Sequence, residues 1–110
     1  MSTPEKVFEA LASTARRRIL AYLSEMPLSA GDIAQRFDMS QPAVSRHLSI
    51  LEAAGLVWKR REGMFVFYGM EQQTLSSTLA GFLQAVCPPS QALKKEARGL
   101  KKAKSGDRET

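Results

Sequence analysis

Ser40, Gln41, Ser45, Arg46, His47 and Ser49 crowd into one short stretch, and the chain places no acid there before Glu52. These are groups that suit a nucleic-acid surface. A Gln amide can pair with adenine, an Arg fork with guanine, and a hydroxyl with a base edge or a phosphate. A carboxylate among them would repel a phosphate backbone, and an ordinary solvated helix face alternates Glu with Lys. Taken alone, the same residues also fit a plain amphipathic surface helix. A second basic group, Lys59, Arg60 and Arg61, follows shortly after and ends beside Gly63.

The elements that must carry these side chains are legible from caps and periodicity. Ser40 is a good N-cap, Pro42 fits a first helical turn, and Gly55 suits the left-handed residue that ends a helix. Between them Val44, Leu48 and Leu51 recur at helical spacing and mark a buried stripe. Upstream, Ser29 with Asp32 three residues on is a capping-box pair, which predicts a short helix over 29–37 with Ile33, Ala34 and Phe37 on its apolar side. Asp38-Met39 then connects two helices through a tight turn, the helix-turn-helix pattern.

After Gly55 the period changes to alternation. Residues 56–61 and 64–70 read as two strands joined at Glu62-Gly63, with Gly63 supplying a positive φ. Trp58 and Tyr68 are expected to cover the core face of this hairpin. Ahead of all this, residues 4–12 predict a first helix with Val7, Phe8 and Leu11 on one face. Residues 14–26 predict a second, with Ala15, Ile19, Leu20 and Leu23 inward and Tyr22 as a further candidate. Arg16, Arg17 and Arg18 cannot all share one helical face; at least one is expected near a phosphate or paired with an acid such as Glu9 or Glu25. Pro27 stops that helix. Residues 71–86 predict a last helix whose stripe of Leu75, Leu79, Phe82, Leu83 and Val86 is wide for a terminal element. Packed on one domain alone, part of it stays exposed, and an exposed apolar patch implies a partner.

Composition narrows the remaining classes. The chain has 110 residues, a net charge of +5 and a pI near 9.7, which fits a polyanionic partner. Seven Lys or Arg against three acids give residues 94–110 a net of +4, leaving +1 for residues 1–93, so the basic pI is mostly a property of the tail. The single cysteine, Cys87, excludes an internal disulfide. With no apolar leader and no membrane-length run, the expectation is a cytoplasmic protein without a membrane partner. No nucleophile–base pair or phosphate loop is present, and His47 is the sole histidine, which argues against an enzyme.

Ser40 to Leu48, followed by Leu51-Glu52-Ala53-Ala54-Gly55-Leu56-Val57, resembles the recognition-helix signature of the ArsR family of bacterial winged-helix repressors. Val7 to Ala12 with Arg16-Arg17-Arg18-Ile19-Leu20 is similar to that family's opening, and Arg60-Arg61-Glu62-Gly63 before Phe65 to Tyr68 to its wing. The resemblance runs in one register over roughly the first 85 residues. It implies a mainly α fold with a small β-hairpin: a winged helix-turn-helix of five helices, the hairpin lying between the fourth and the fifth. It implies a homodimer through the first and last helices, with Val7, Phe8, Leu11, Leu75, Leu79, Phe82, Leu83 and Val86 at the interface. The division expected is a DNA-binding and dimerisation domain over 1–87 and a basic tail over 88–110 that is loosely helical or disordered.

The function so implied is a sequence-specific DNA-binding transcriptional regulator, a repressor that takes a near-palindromic double-stranded operator as a dimer. Gln41, Ser45, Arg46 and His47 would read bases. Ser40 and Ser49 would hold phosphates, and Lys59, Arg60, Arg61 and Gly63 would form the wing contact. The family's metal sites do not carry over. One places two cysteines on the helix matching 29–37, which has none here; another uses Asp and His on the last helix, where Glu71 is the only acid. No cofactor and no metal are expected, and the chain looks closest to the metal-independent autorepressors of the SdpR type, with the inducer unknown. Two alternatives stand beside this: a thiol-responsive repressor that uses Cys87 across a dimer, and a winged-helix protein-interaction module.

Overall fold

The structure, a computed structural model, describes residues 3–87 and 96–100. The chain falls into two compact units, Met1–Ser76 and Ser77–Thr110. Its elements run α1 (Pro4–Leu11), α2 (Thr14–Glu25), β1 (Leu28–Ser29), α3 (Ala30–Phe37), α4 (Gln41–Ala53), β2 (Val57–Glu62), β3 (Phe65–Met70) and α5 (Gln72–Val86). In the second unit residues 96–100 are also helical and exposed; the rest of the expected tail, 88–95 and 101–110, lies outside the described residues.

Each of the first four helices starts on a hydroxyl. Thr3, Ser13, Ser29 and Ser40 accept from the backbone N–H of Lys6, Arg16, Asp32 and Ala43 at 3.1–3.2 Å. At α3 the exchange is reciprocal, because Ser29 N–H donates to the Asp32 carboxylate, so the capping box expected there is formed. The exit of α4 also follows expectation. Gly55 takes a φ of 77°, its N–H reaches the Glu52 carbonyl, and the Leu56 N–H reaches that of Leu51, both at 2.9 Å. This two-bond left-handed cap turns the chain straight into β2.

The first unit has one core. Ile19 of α2, Ile33 of α3, Leu48 and Leu51 of α4 and Leu56 ahead of β2 are its largest fully buried side chains. Val7 and Ala10 of α1 complete it from the other side. Leu75 packs against the same cluster from the first turn of α5.

The β structure differs from expectation in three ways. The sheet has three antiparallel strands in the order β1-β3-β2, because Leu28 and Ser29 pair with Tyr68 and Phe67. A two-residue strand has no periodicity to detect. The hairpin loop is Gly63-Met64, since Glu62 still pairs with Phe65; Gly63 supplies the positive φ (65°) as its first residue. Finally, Trp58 and Tyr68 do not share a face. Trp58 stands opposite Gly69, whereas Tyr68 stands opposite Lys59 and packs on the core with Met70. The Trp58 indole lies against Gly69, and a Cβ added at Gly69 would come within 2.0–2.7 Å of three of its ring carbons.

That contact defines a stability test. Gly69→Ala must displace Trp58, so it is expected to cost about 1–3 kcal/mol in urea unfolding and to shift the Trp58 emission of the native state. An unchanged midpoint would show that the ring has room to move.

Candidate nucleic-acid interface

The α4 helix is fixed in rotation by its apolar stripe: Val44, Leu48 and Leu51 are 0–1% exposed. The residues at i, i+1, i+4, i+5 and i+8 from Gln41 therefore lie outward, and Gln41, Pro42, Ser45, Arg46 and Ser49 are all exposed. The arc they form is two hydroxyls, an amide, a guanidinium and a proline ring. Ser40 caps the same end with its lone pair on the Ala43 N–H. Ahead of it, Asp38 takes φ 52°, the one non-glycine residue with positive φ among those described. The Met39 N–H returns to the Ala34 carbonyl at 3.1 Å, so the turn between α3 and α4 is closed by its own hydrogen bond.

His47 occupies a different position from its neighbours. It is half-buried on the flank of α4 that meets α2, and its Nδ1 lies 3.3 Å from Nη1 of Arg16. Guanidinium has no acceptor, so Nδ1 must accept and the ring proton sits on Nε2. The other two branches of Arg16 cap α1: Nε donates to the Ala10 carbonyl at 2.7 Å and Nη2 to that of Glu9 at 3.1 Å. Arg17 adds a bond to the Leu11 carbonyl at 2.6 Å. These arginines thus serve carbonyls in the last turn of α1, that of Glu9 also accepting from the Ala12 N–H at 3.2 Å. Of the two partners expected from sequence, a phosphate or an acid such as Glu9 or Glu25, the carboxylates are not the ones these bonds reach. Arg18 lies 5.1 Å over the Phe37 ring, and Arg36 lies 5.6 Å over Tyr22. Tyr22 and Phe37 meet edge to face, so Tyr22 joins α2 to α3 at the surface and is not part of the core.

The wing divides its basic residues between two faces. Lys59 and Arg61 stand opposite Tyr68 and Val66, on the face that carries Val57 into the core. Arg60 is on the other face, stacked 4.9 Å over Trp58 and paired at 2.8 Å with Glu62. Arg61 bends toward the tip, its Nε donating to the Gly63 carbonyl at 3.2 Å. Val66 and Tyr68 line one open groove together with Met64, Phe65, Gln41 and the start of α3 at Ala30 and Gly31. The wing tip and Gln41, the first residue of α4, thus border the same concavity, which no spacing in the sequence reveals.

The expected interface residues fall in two groups. Val7 is fully buried in its own chain's core and has no surface to offer a second copy; Phe8, Leu11 and Leu75 are half-buried. In the second unit Leu79, Phe82, Leu83 and Val86 are 40–59% exposed. Cys87 is exposed. Among the described residues no three His, Cys, Asp or Glu stand close enough to hold a metal ion, and no helix is long and apolar enough to cross a membrane.

Two helices closed by a tight turn, the second with an outer arc free of acids before Glu52 and followed by a basic hairpin, define a winged helix-turn-helix regulator. The model of the bacterial regulatory protein family arsR matches residues 13–59. The transcriptional repressor SdpR of Bacillus subtilis is 35% identical over 80 residues, 73% of this chain and 89% of that one. The chain belongs to the ArsR family of transcriptional regulators. Solved structures agree. An ArsR-like transcriptional regulator from Rhodococcus sp. RHA1 superimposes with a TM-score of 0.75 at 28% identity, covering 91% of each chain. A homodimeric winged helix-turn-helix DNA-binding domain from Mycobacterium bovis does so at 0.63 and 28% identity, covering 74% of this chain and 76% of that one.

The imidazole gives a pH prediction. Burial, then the charges of Arg16 and Arg46, hold the His47 pKa below its ordinary 6.5. Below that value the unfolded chain binds the proton more readily than the folded one, so the His47 contribution is full above pH 6.5 and is lost as pH falls through the lowered folded pKa. Wild type is expected to lose more unfolding free energy than His47→Asn on acidification from about pH 7.5 to about pH 5, read by urea unfolding at each pH. Parallel profiles for the two proteins would count against it.

Proposed function

We propose that the chain is a homodimeric repressor whose two α4 helices enter successive major grooves, about 10 bp apart, of a near-palindromic operator. Gln41, Ser45 and Arg46 read base edges. Ser40, Ser49 and the first backbone N–H groups of α4 hold phosphates. His47 serves the same surface from its flank. Lys59 and Arg61 carry the wing contact, with Gly63 shaping the tip, and Arg60 holds Trp58. The domain of 1–87 does the recognition, and the basic tail of 88–110 adds affinity without sequence preference. The protein acts in the cytoplasm, without catalysis and without a metal.

The observation that carries this reading is the exposed arc of α4, free of acids from Gln41 to Ser49, set opposite a stripe that is fully buried. The dimer is supported by the apolar stripe of α5, exposed in a single copy, and by the homodimeric relative from Mycobacterium bovis. A second copy would cover Leu79, Phe82, Leu83 and Val86 together with Phe8, Leu11 and Leu75.

Binding of variants to a duplex selected from a random library tests the reading directly. Arg46→Ala is expected to lose about 1–3 kcal/mol and to relax preference at one position of each half-site. Arg61→Ala is expected to weaken selected and scrambled duplexes alike and to lower the salt slope by about 1, while Arg60→Ala changes the slope less. No retention of wild type on any duplex at low salt would defeat the proposal. For the assembly, Leu83→Asp is expected to turn a dimer into a monomer in light scattering at micromolar concentration; a wild-type monomer would remove the interface.

A further inference from the structure

The Arg16 side chain joins the end of α1, the start of α2 and the flank of α4. Its three donor branches go to the Ala10 carbonyl, the Glu9 carbonyl and His47 Nδ1. None of these bonds needs DNA, and the side chain is half-buried behind the recognition helix. The fork geometry matters here, because Lys has a single point of charge and cannot span three acceptors in one plane. We propose that Arg16 is a positioning residue for DNA recognition: it locks the His47 imidazole as a neutral acceptor and thereby holds the outer arc of α4 in its reading pose. This rests on the reading of α4 given above.

The consequence is a dependence on the His47 proton. Protonation turns Nδ1 from acceptor into donor, so it can no longer take the Arg16 bond. It also sets three cations side by side. The charges that act on the ring are Arg16 from α2 and Arg46 from its own helix, and α1 brings the carbonyls of Glu9 and Ala10 only through Arg16. Generic electrostatics predicts the opposite trend, since added positive charge near a duplex raises affinity. The sign of the pH effect therefore separates a positioning role from a direct phosphate contact.

The experiment measures affinity for the library-selected duplex from about pH 8 to about pH 5.5 for wild type, Arg16→Gln, Arg16→Lys, His47→Asn and the double variant Arg16→Gln/His47→Asn. Asn places an amide oxygen near the Nδ1 position and does not titrate. Imidazole nitrogen NMR of unbound wild type and Arg16→Lys reports the tautomer. The expected result is an Nε2–H ring in wild type and a mixture in Arg16→Lys. Affinity should fall about tenfold in Arg16→Gln and in Arg16→Lys, with the double variant no weaker than Arg16→Gln. Wild type should lose affinity on acidification relative to His47→Asn.

Wild-type affinity that rises on acidification relative to His47→Asn overturns the proposal, as do Arg16 variants that bind like wild type. If Arg16→Gln does not fold, Arg16→Lys and the pH profile of His47→Asn decide. If wild type binds no duplex, the DNA reading fails, and an Nε2–H ring that becomes mixed in Arg16→Lys still shows the clamp.

Discussion

The burial of Val44, Leu48 and Leu51 governs everything that α4 presents to its surroundings. Fully burying a Val or Leu side chain contributes about 1.5–3 kcal/mol over leaving it exposed. Turning α4 by one residue about its axis would put a share of these three side chains into water. That loss is comparable with the whole stability of a small domain, about 5–15 kcal/mol. The helix therefore has one orientation, and its polar arc is a consequence of its apolar one. The cap at Gly55 extends this constraint to the wing. Leu56 and Val57 follow immediately and are 0% and 4% exposed, so β2 starts from a buried anchor at the end of α4.

Arginines do much of the joining around that core, through two main kinds of partner. Arg16 and Arg17 take backbone carbonyls at the end of α1, and Arg18 and Arg36 lie over the Phe37 and Tyr22 rings. Arg60 lies over Trp58 and pairs with Glu62. That ion pair is half exposed at both ends, so it orients the side chains more than it stabilises the fold. Arg46 is left on the exposed arc of the recognition helix. The near-neutral charge of residues 1–93 comes from their eight acids, which offset all but one of nine Lys and Arg.

What was legible in the sequence is what depends on neighbours a few residues away. The capping box of Ser29 and Asp32, the cap at Ser40, the left-handed exit at Gly55 and the stripe of α4 all act within one or two helical turns, so residue types at fixed spacing reveal them. The strand Leu28–Ser29 exists only because Tyr68 and Phe67 come to it from 40 and 38 positions away. Arg16 meets His47 across 31 positions, with nothing in either residue's surroundings to signal it. The face of Trp58 was misread because alternation fixes which residues share a side but not which side meets the core. Val7 failed for a related reason: an apolar helix face looks the same in sequence whether its own domain or a second copy covers it.

The number of reading side chains bears on why two copies are needed at all. On the proposed reading, each α4 offers two groups able to bond a base bidentately, Gln41 and Arg46, and each such pair discriminates by about 1–3 kcal/mol. Specific binding stands about 4–10 kcal/mol above non-specific binding. One copy spans only the lower part of that range, and the hydroxyls of Ser45 and Ser49 add little, because they accept or donate to almost any edge. Two copies on one operator double the discrimination. On the same reading the exposed apolar residues of α5 are the means of holding them, since an exposed apolar patch commonly marks a partner. Recognition by a short helix and an uncovered stripe on the last helix are thus two sides of one requirement.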